Sequence, residues 1–322
     1  MKKCEFSILS SNEKTQLHCV SWLPDEAPRA ILQIAHGVCS YVSRFEPLAE
    51  FLCARGFAVY GHDHLGHGQS VSSPEEQLFF GEDGGWDFVV EDLRAMTNRI
   101  HMEHPGLPVF LLGHSMGSFI SRCYAIRFQD GIDGLLLSGT GQQPAALLRT
   151  GIAVSKFEIK RKGARSRSGM LQNLMFGSYN KGFEPRRTQY DWLSRDTEIV
   201  DRYAADPSCG GVTTAGLVRD MLGGMTYMSK PQNIARMNKA LPVLFFSGSA
   251  DPVGEKGAGV IRAYNAFLSA GMQDVTLKLY AGGRHEMLNE TNREKVRQDI
   301  LDWMETKLSA MDKKLVVPSA EG

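Results

Sequence analysis

The stretch Val109-Phe110-Leu111-Leu112-Gly113-His114-Ser115-Met116-Gly117-Ser118 constrains this chain more than any other. Val109 to Leu112 is an unbroken apolar run, which reads as a buried strand. It stops at a G-x-S-x-G pentapeptide, and a mostly apolar helical pattern begins at once through Phe119, Ile120, Cys123 and Ile126. A serine on so sharp a strand-to-helix turn has strained backbone angles, and a bulky side chain two residues away on either side would collide with the turn. The arrangement predicts that Ser115 projects alone above a sheet edge as a candidate nucleophile. The N–H of Met116, at the start of the helix, would point at charge developing on a reacting oxygen.

The flanking pattern predicts the sheet. Glu5–Leu9 and Gln16–Leu23 alternate polar and apolar residues around the turn Ser11-Asn12-Glu13-Lys14, as an edge hairpin does. Ala30–Ala35, Phe57–Gly61 and Ile132–Ser138 are short apolar runs, separated by helical patterns over Phe45–Ala54 and Trp86–His101. Strands alternating with helices predict a mostly parallel central sheet with helices on both faces. Ligands of such sheets bind beyond the carboxyl ends of the strands. His36-Gly37-Val38 follows the Ala30–Ala35 strand at that edge, so the Val38 N–H is the candidate second oxyanion donor, with Gly37 allowing close backbone approach.

The rhythm changes after Gly139-Thr140-Gly141. From Gln142 to Asn238 strands give way to short helical stretches, 145–152, 170–176, 191–203 and 217–229. The expected organisation is a first core part over 1–141, a helical cap insertion over 142–238, a second core part over 239–310 and a polar tail over 311–322. Methionines 170, 175, 221, 225 and 228 give the insertion a soft apolar character. They either line an adaptable ligand slot or pack the insertion's own interior. Lys156–Arg167 carries six basic residues against Glu158 alone. That is a solvated face, or a surface for transient contact with an anionic membrane.

Beyond the insertion, Leu241–Ser247 and Val275–Tyr280 read as strands. Asp251 follows the first in Gly248-Ser249-Ala250-Asp251-Pro252, and His285 follows the second in a glycine-rich loop. An acid and an imidazole at the same sheet edge as a serine, in the chain order Ser115, Asp251, His285, form a candidate catalytic triad. His285 would take the Ser115 proton, Asp251 would hold the imidazole, and the Val38 and Met116 N–H groups would bind the oxyanion. His36, Gly37, Cys39 and His114 beside these groups, with Met221 and Met225 of the insertion, are the candidate substrate-binding residues.

His62-Asp63-His64-Leu65-Gly66-His67-Gly68-Gln69-Ser70 invites a metal reading, but its spacing matches no zinc-ligand pattern and no second cluster supplies further ligands. A tight loop fixed by local hydrogen bonds of Asp63 and the imidazoles is expected instead. The net charge of zero gives no footprint for nucleic acid. The six scattered cysteines, with no C-x-x-C, read as free thiols, and the N-terminus lacks a signal-peptide pattern, so a cytoplasmic location is expected.

Ala35-His36-Gly37, the D-H-x-G-H-G-Q-S stretch at 63–70, Gly113–Gly117, Gly248–Val253 and Arg284-His285-Glu286 together resemble the monoacylglycerol lipase and lysophospholipase branch of the α/β-hydrolases. Trp192–Asp196 and Asp206–Cys209 are similar to bacterial members of that branch. The resemblance implies the α/β-hydrolase fold, no cofactor, triad roles for Ser115, Asp251 and His285, and a small ester or single-chain lipid as substrate. It leaves open a short-chain carboxylesterase, or a serine acyltransferase on the same triad.

Overall fold

A computed structural model describes residues 1–316. The first core part runs β1 (Lys2–Leu9), β2 (Gln16–Leu23), β3 (Ala30–Ala35), α1 (Glu46–Cys53), β4 (Phe57–His62), α2 (Gly85–Glu103), β5 (Val109–His114), α3 (Met116–Arg127) and β6 (Gly134–Ser138). Five helices follow: α4 (Ala145–Lys162), α5 (Gly169–Phe176), α6 (Thr197–Ala205), α7 (Ala215–Met228) and α8 (Pro231–Ile234). The chain then returns through β7 (Val243–Gly248), α9 (Ala258–Ser269), β8 (Val275–Tyr280) and α10 (Arg293–Val316).

One eight-stranded sheet has the order β1-β2-β4-β3-β5-β6-β7-β8, antiparallel at β1–β2 and β2–β4 and parallel elsewhere. This is the α/β-hydrolase fold. The apolar runs bury both of their faces, as parallel strands covered by helices must. Phe110, Leu112, Leu136, Leu244 and Phe246 point to a core shared with α1 and α10. Leu111, Leu135, Leu137 and Phe245 point to the opposite core, shared with α2, α3, α7 and α9. The strand order changes direction between β3 and β5, which lie side by side with Ala35 opposite Gly113. A crevice opens at such a switch point.

Several boundaries depart from the sequence expectation. α4 continues ten residues past Ile152, carrying Lys156 to Lys162 on its last turns before Gly163 at φ 85° ends it. Residues 191–196 are not helical. Asp191 accepts the Arg187 and Thr188 N–H groups at 2.9 and 3.1 Å, and Asp196 caps α6 by accepting from Glu198 N–H at 3.1 Å. α9 completes a strand–helix–strand unit that Gly254, Gly257 and Gly259 obscure in the sequence. The expected tail from 311 is instead the end of α10 as far as Val316, because the helix repeat persists past Leu308. Residues 317–322 lie outside the described residues. No helix among the described residues is long and apolar enough to cross a membrane.

The packing of α3 against the end of β3 admits no side chain at Gly117. A Cβ there would strike the Ala35 carbonyl oxygen and lie 2.6 Å from the His36 oxygen, both fixed backbone. Gly223, exposed on α7, has nothing within 4 Å of a Cβ. Gly117→Ala should therefore destabilise by about 1–3 kcal/mol or more through overpacking. Gly223→Ala should be neutral or stabilise by up to ~1 kcal/mol through helix propensity. Thermal melts of the two single variants test the pair; equal melting temperatures would contradict the packing argument.

Candidate active site

Ser115 joins β5 to α3 at φ 53° and ψ −122°, a conformation that side-chain-bearing residues rarely adopt. The turn is held from both sides. The Ser115 N–H donates to the Ser138 carbonyl at 2.9 Å, and its own carbonyl accepts from Ser118 N–H at 2.8 Å and Ser118 Oγ at 2.6 Å. A Cβ on Gly113 would lie 2.5 Å from the Gly117 carbonyl oxygen and from Ser121 Oγ, so both pentapeptide glycines are required sterically.

Asp251 and His285 meet beside this turn. Asp251, fully buried, follows β7, and His285, 2% exposed, follows β8. His285 Nδ1 lies 3.0 Å from both carboxylate oxygens of Asp251. The carboxylate is fixed in turn by Val253 N–H at 2.9 Å and Ser247 Oγ at 3.2 Å. With Nδ1 turned to the acid, Nε2 has no partner among the described residues. Ser115 and His285 line the same cavity, of about 860 Å³. Gly139, at φ 56°, backs the pair, because a Cβ there would sit 2.8 Å from His285 Cε1.

The candidate oxyanion donors reach the cavity too. Val38 follows β3, Met116 opens α3, and neither N–H donates to a backbone acceptor among the described residues. A Cβ on Gly37 would lie 3.2 Å from Ser115 Cβ, which measures how closely the two strand ends approach.

Gly37, Cys39, His114, Met221 and Met225 also line the cavity. His114 stacks 4.7 Å from His285, its Nδ1 lies 3.2 Å from Ser138 Oγ, and burial with the neighbouring His285 pushes its pKa down to about 3. It is neutral at physiological pH. Burial pushes the Cys39 thiol up to about 12, which leaves it unreactive as a thiolate.

His36 is a correction. It is fully buried away from the cavity, with Nδ1 2.7 Å from the Gly37 carbonyl and Nε2 accepting the His64 N–H at 2.9 Å. It is the brace that ties the histidine-rich loop to the end of β3, and not a substrate contact. Asp63 anchors the same loop. It accepts from Val42 N–H at 2.7 Å and Gln69 N–H at 2.9 Å, and bonds His18 Nδ1 at 3.0 Å. Burial pushes His36, His62 and His67 down to about 3, 4 and 4 and His64 well below its ordinary value, so all four are neutral. Among the described residues no group of three or more His, Cys, Asp or Glu side chains converges on a metal-binding geometry.

Two groups that sequence reasoning missed complete the site. Trp192, from the non-helical 191–196 segment, packs its ring 5.0 Å from the His285 imidazole. The Leu193 carbonyl accepts from Glu286 N–H at 2.8 Å. Arg44 and Glu286 form a bidentate pair at 2.6 and 2.7 Å, joining the turn after the candidate oxyanion donor Val38 to the residue after His285. The available signal for this pair was an acid adjoining the proposed base.

A model of the family described as "Serine aminopeptidase, S33" matches residues 26–292. The chain belongs to this family. A monoacylglycerol lipase of Mycolicibacterium smegmatis is 30% identical to this S33 member over 287 residues, 88% of this chain and 90% of the relative. Human monoglyceride lipase is 31% identical over 85% of this chain and 81% of its own length. Among solved structures, a thermostable carboxyl esterase of Bacillus coagulans in complex with glycerol superposes with a TM-score of 0.88 at 28% identity, over 95% of this chain and 99% of that one. A monoglyceride lipase of Saccharomyces cerevisiae in complex with a substrate analogue, at TM-score 0.72 and 18% identity over 91% of this chain and 92% of that one, shares the fold.

The Arg44–Glu286 pair gives this S33 member a specific acid sensitivity. Burial alone would raise the Glu286 pKa, but the Arg44 charge and hydrogen bonds bring it from 4.5 down to about 2. A depressed carboxylate stabilises the fold fully above its unfolded value, and that contribution is lost as pH falls through the folded one. Wild-type stability should therefore decline between about pH 4.5 and 2. Glu286→Gln, which leaves the Arg44 charge buried and unpaired, should lose about 3–5 kcal/mol at neutral pH and show a shallower decline over that interval. Denaturant melts at stepped pH measure both; a variant as stable as wild type at pH 7 would contradict the pairing.

Proposed function

We propose that this protein is a serine hydrolase that cleaves carboxylic esters of single-chain lipids, with monoacylglycerol as its substrate class. The observation that carries the reading is the Asp251–His285 pair, 3.0 Å apart, opening on the cavity that Ser115 enters from its strained turn. The esterase and monoacylglycerol lipase relatives support it.

Ser115 Oγ attacks the acyl carbon while its proton passes to His285 Nε2. Asp251 stabilises the resulting imidazolium, and the Val38 and Met116 N–H groups bind the oxyanion. Collapse breaks the ester C–O bond, and His285 protonates the departing glycerol oxygen. Water, deprotonated by His285, then attacks the acyl-enzyme; the fatty acid leaves and Ser115 regains its proton.

The charges of the cavity favour a neutral head group. Its charged lining residues are Arg186, Glu255 and Glu286. Each already has a partner: Glu184 at 2.9 Å, Arg262 and Arg44 respectively. Among the described residues the lining offers no buried cation for a phosphate, Arg186 being exposed and paired with Glu184, so a glycerol ester fits better than a lysophospholipid. The apolar lining, with Phe119, Leu148, Met221, Leu222 and Met225, suits an acyl chain.

Each buried methylene contributes at most about 0.8 kcal/mol, partly offset by ordering of the chain. With p-nitrophenyl esters below their micellar concentrations, kcat/KM should rise severalfold per added pair of methylenes and then level off. A monoacylglycerol should exceed the lysophosphatidylcholine of the same chain by roughly tenfold or more, the factor that about 1.4 kcal/mol represents. A profile that peaks at acetyl would reduce the assignment to a short-chain carboxylesterase. Equal rates on the two lipids would remove the head-group argument.

A further inference from the structure

Cys39 follows the proposed oxyanion donor Val38, and its backbone is left-handed, at φ 56°. A residue with a Cβ resists that conformation, because the Cβ crowds the neighbouring carbonyl oxygen. Neither glycine nor asparagine is present at 39 to ease it, so something else must hold the turn.

The hold comes from the insertion. Tyr203 Oη, on α6, donates to the Cys39 carbonyl at 2.9 Å. The Gly210 N–H reaches the same carbonyl at 3.2 Å and Tyr203 Oη at 3.2 Å. Tyr203 is itself fixed: it is buried, with the Arg44 guanidinium over its ring at 4.8 Å and Tyr190 packed edge-on at 4.9 Å. Tyr41, two residues past Cys39, donates from Oη to Asp206 Oδ2 at 2.7 Å. The turn that presents Val38 is therefore bonded to the insertion at its strained residue and again two residues beyond it, and no other described hydrogen bond reaches the Cys39 carbonyl.

We propose that the insertion is a working part of the oxyanion hole, with Tyr203 a positioning residue. Through the Cys39 carbonyl it holds the Val38–Cys39 turn in its strained form and keeps the Val38 N–H aimed into the cavity. The proposal rests on the assignment of Val38 as an oxyanion donor in a serine esterase. Without the hydroxyl, the turn relaxes toward negative φ at Cys39 and the adjoining Val38 peptide turns with it. The loss falls on the transition state, since the oxyanion exists only there, and leaves ground-state binding nearly untouched.

Steady-state kinetics on one soluble ester, with wild type, Ser115→Ala, Tyr203→Phe, Cys39→Gly and the Cys39→Gly/Tyr203→Phe double variant, test this. Phenylalanine keeps the ring, its burial and its contact with Arg44. Tyr203→Phe should lower kcat by about tenfold, a fraction of the 10²–10³ that follows outright loss of an oxyanion donor, with KM within about twofold. Its affinity for an alkyl trifluoromethyl ketone, whose hemiketal oxyanion occupies the hole, should fall by a similar factor. Glycine adopts positive φ without strain, so in the Cys39→Gly background the same substitution should cost less than about threefold. A Tyr203→Phe variant with wild-type kcat, or an equal cost in both backgrounds, would overturn the proposal. An inactive wild type or an active Ser115→Ala would instead remove the serine-esterase reading, and this inference with it.

Discussion

The backbone of Ser115, at φ 53° and ψ −122°, sets the terms for the rest of the site. A conformation of this kind costs of order 1–3 kcal/mol and persists only when its surroundings over-determine it. Here they do so through bonds to Ser138 and Ser118 and through the closeness that Gly113 and Gly117 permit. Gly117 brings α3 against the Ala35 carbonyl, and that contact places the end of β3, with Val38 beyond it, beside the serine. The same turn that aims Ser115 thus also delivers the proposed oxyanion donors, one from each of two adjacent parallel strands.

The insertion is fastened to this arrangement at two places. Near Val38, Tyr203 and Gly210 hold the Cys39 carbonyl. Near His285, Glu290 accepts from the N–H groups of Arg284 at 2.9 Å and Arg195 at 3.1 Å, and Arg284 Nη1 reaches the Ser194 carbonyl at 3.0 Å. Arg44 and Glu286 close the circuit between the two anchor points. Residues 191–211 therefore serve the proposed catalytic loops as scaffold, while α4, α5 and α7 contribute the apolar wall of the cavity. All five methionines singled out in the sequence lie on α5 and α7, and Met175 lines the cavity. Met221 and Met225 line the cavity and belong to the core as well, whereas Met228 is wholly buried and Met170 is half exposed.

What could be read from the sequence was local. Strand runs, the pentapeptide, and the acid and imidazole just past strand ends each carry their own turn chemistry, and their order fixed the sheet class and the candidate triad. What escaped depends on contacts distant in sequence. Tyr203 meets Cys39 across 164 residues, and Arg44 meets Glu286 across 242. The 191–196 segment has helix-compatible composition, but its backbone is claimed by the His285 loop and by the Asn180, Ser194 and Glu290 side chains. His36 was misplaced for the opposite reason. Its position next to Gly37 suggests the cavity, yet both of its ring nitrogens bond backbone groups on the inner side of the turn.

The central claim is that Ser115 is a nucleophile activated by His285. The most direct measurement is labelling of the intact protein with an alkyl fluorophosphonate, followed by intact-mass analysis and peptide mapping. One adduct per chain is expected, on the peptide containing Ser115, absent in Ser115→Ala and formed far more slowly in His285→Ala. An adduct on another residue, or labelling that persists in Ser115→Ala, would contradict the account.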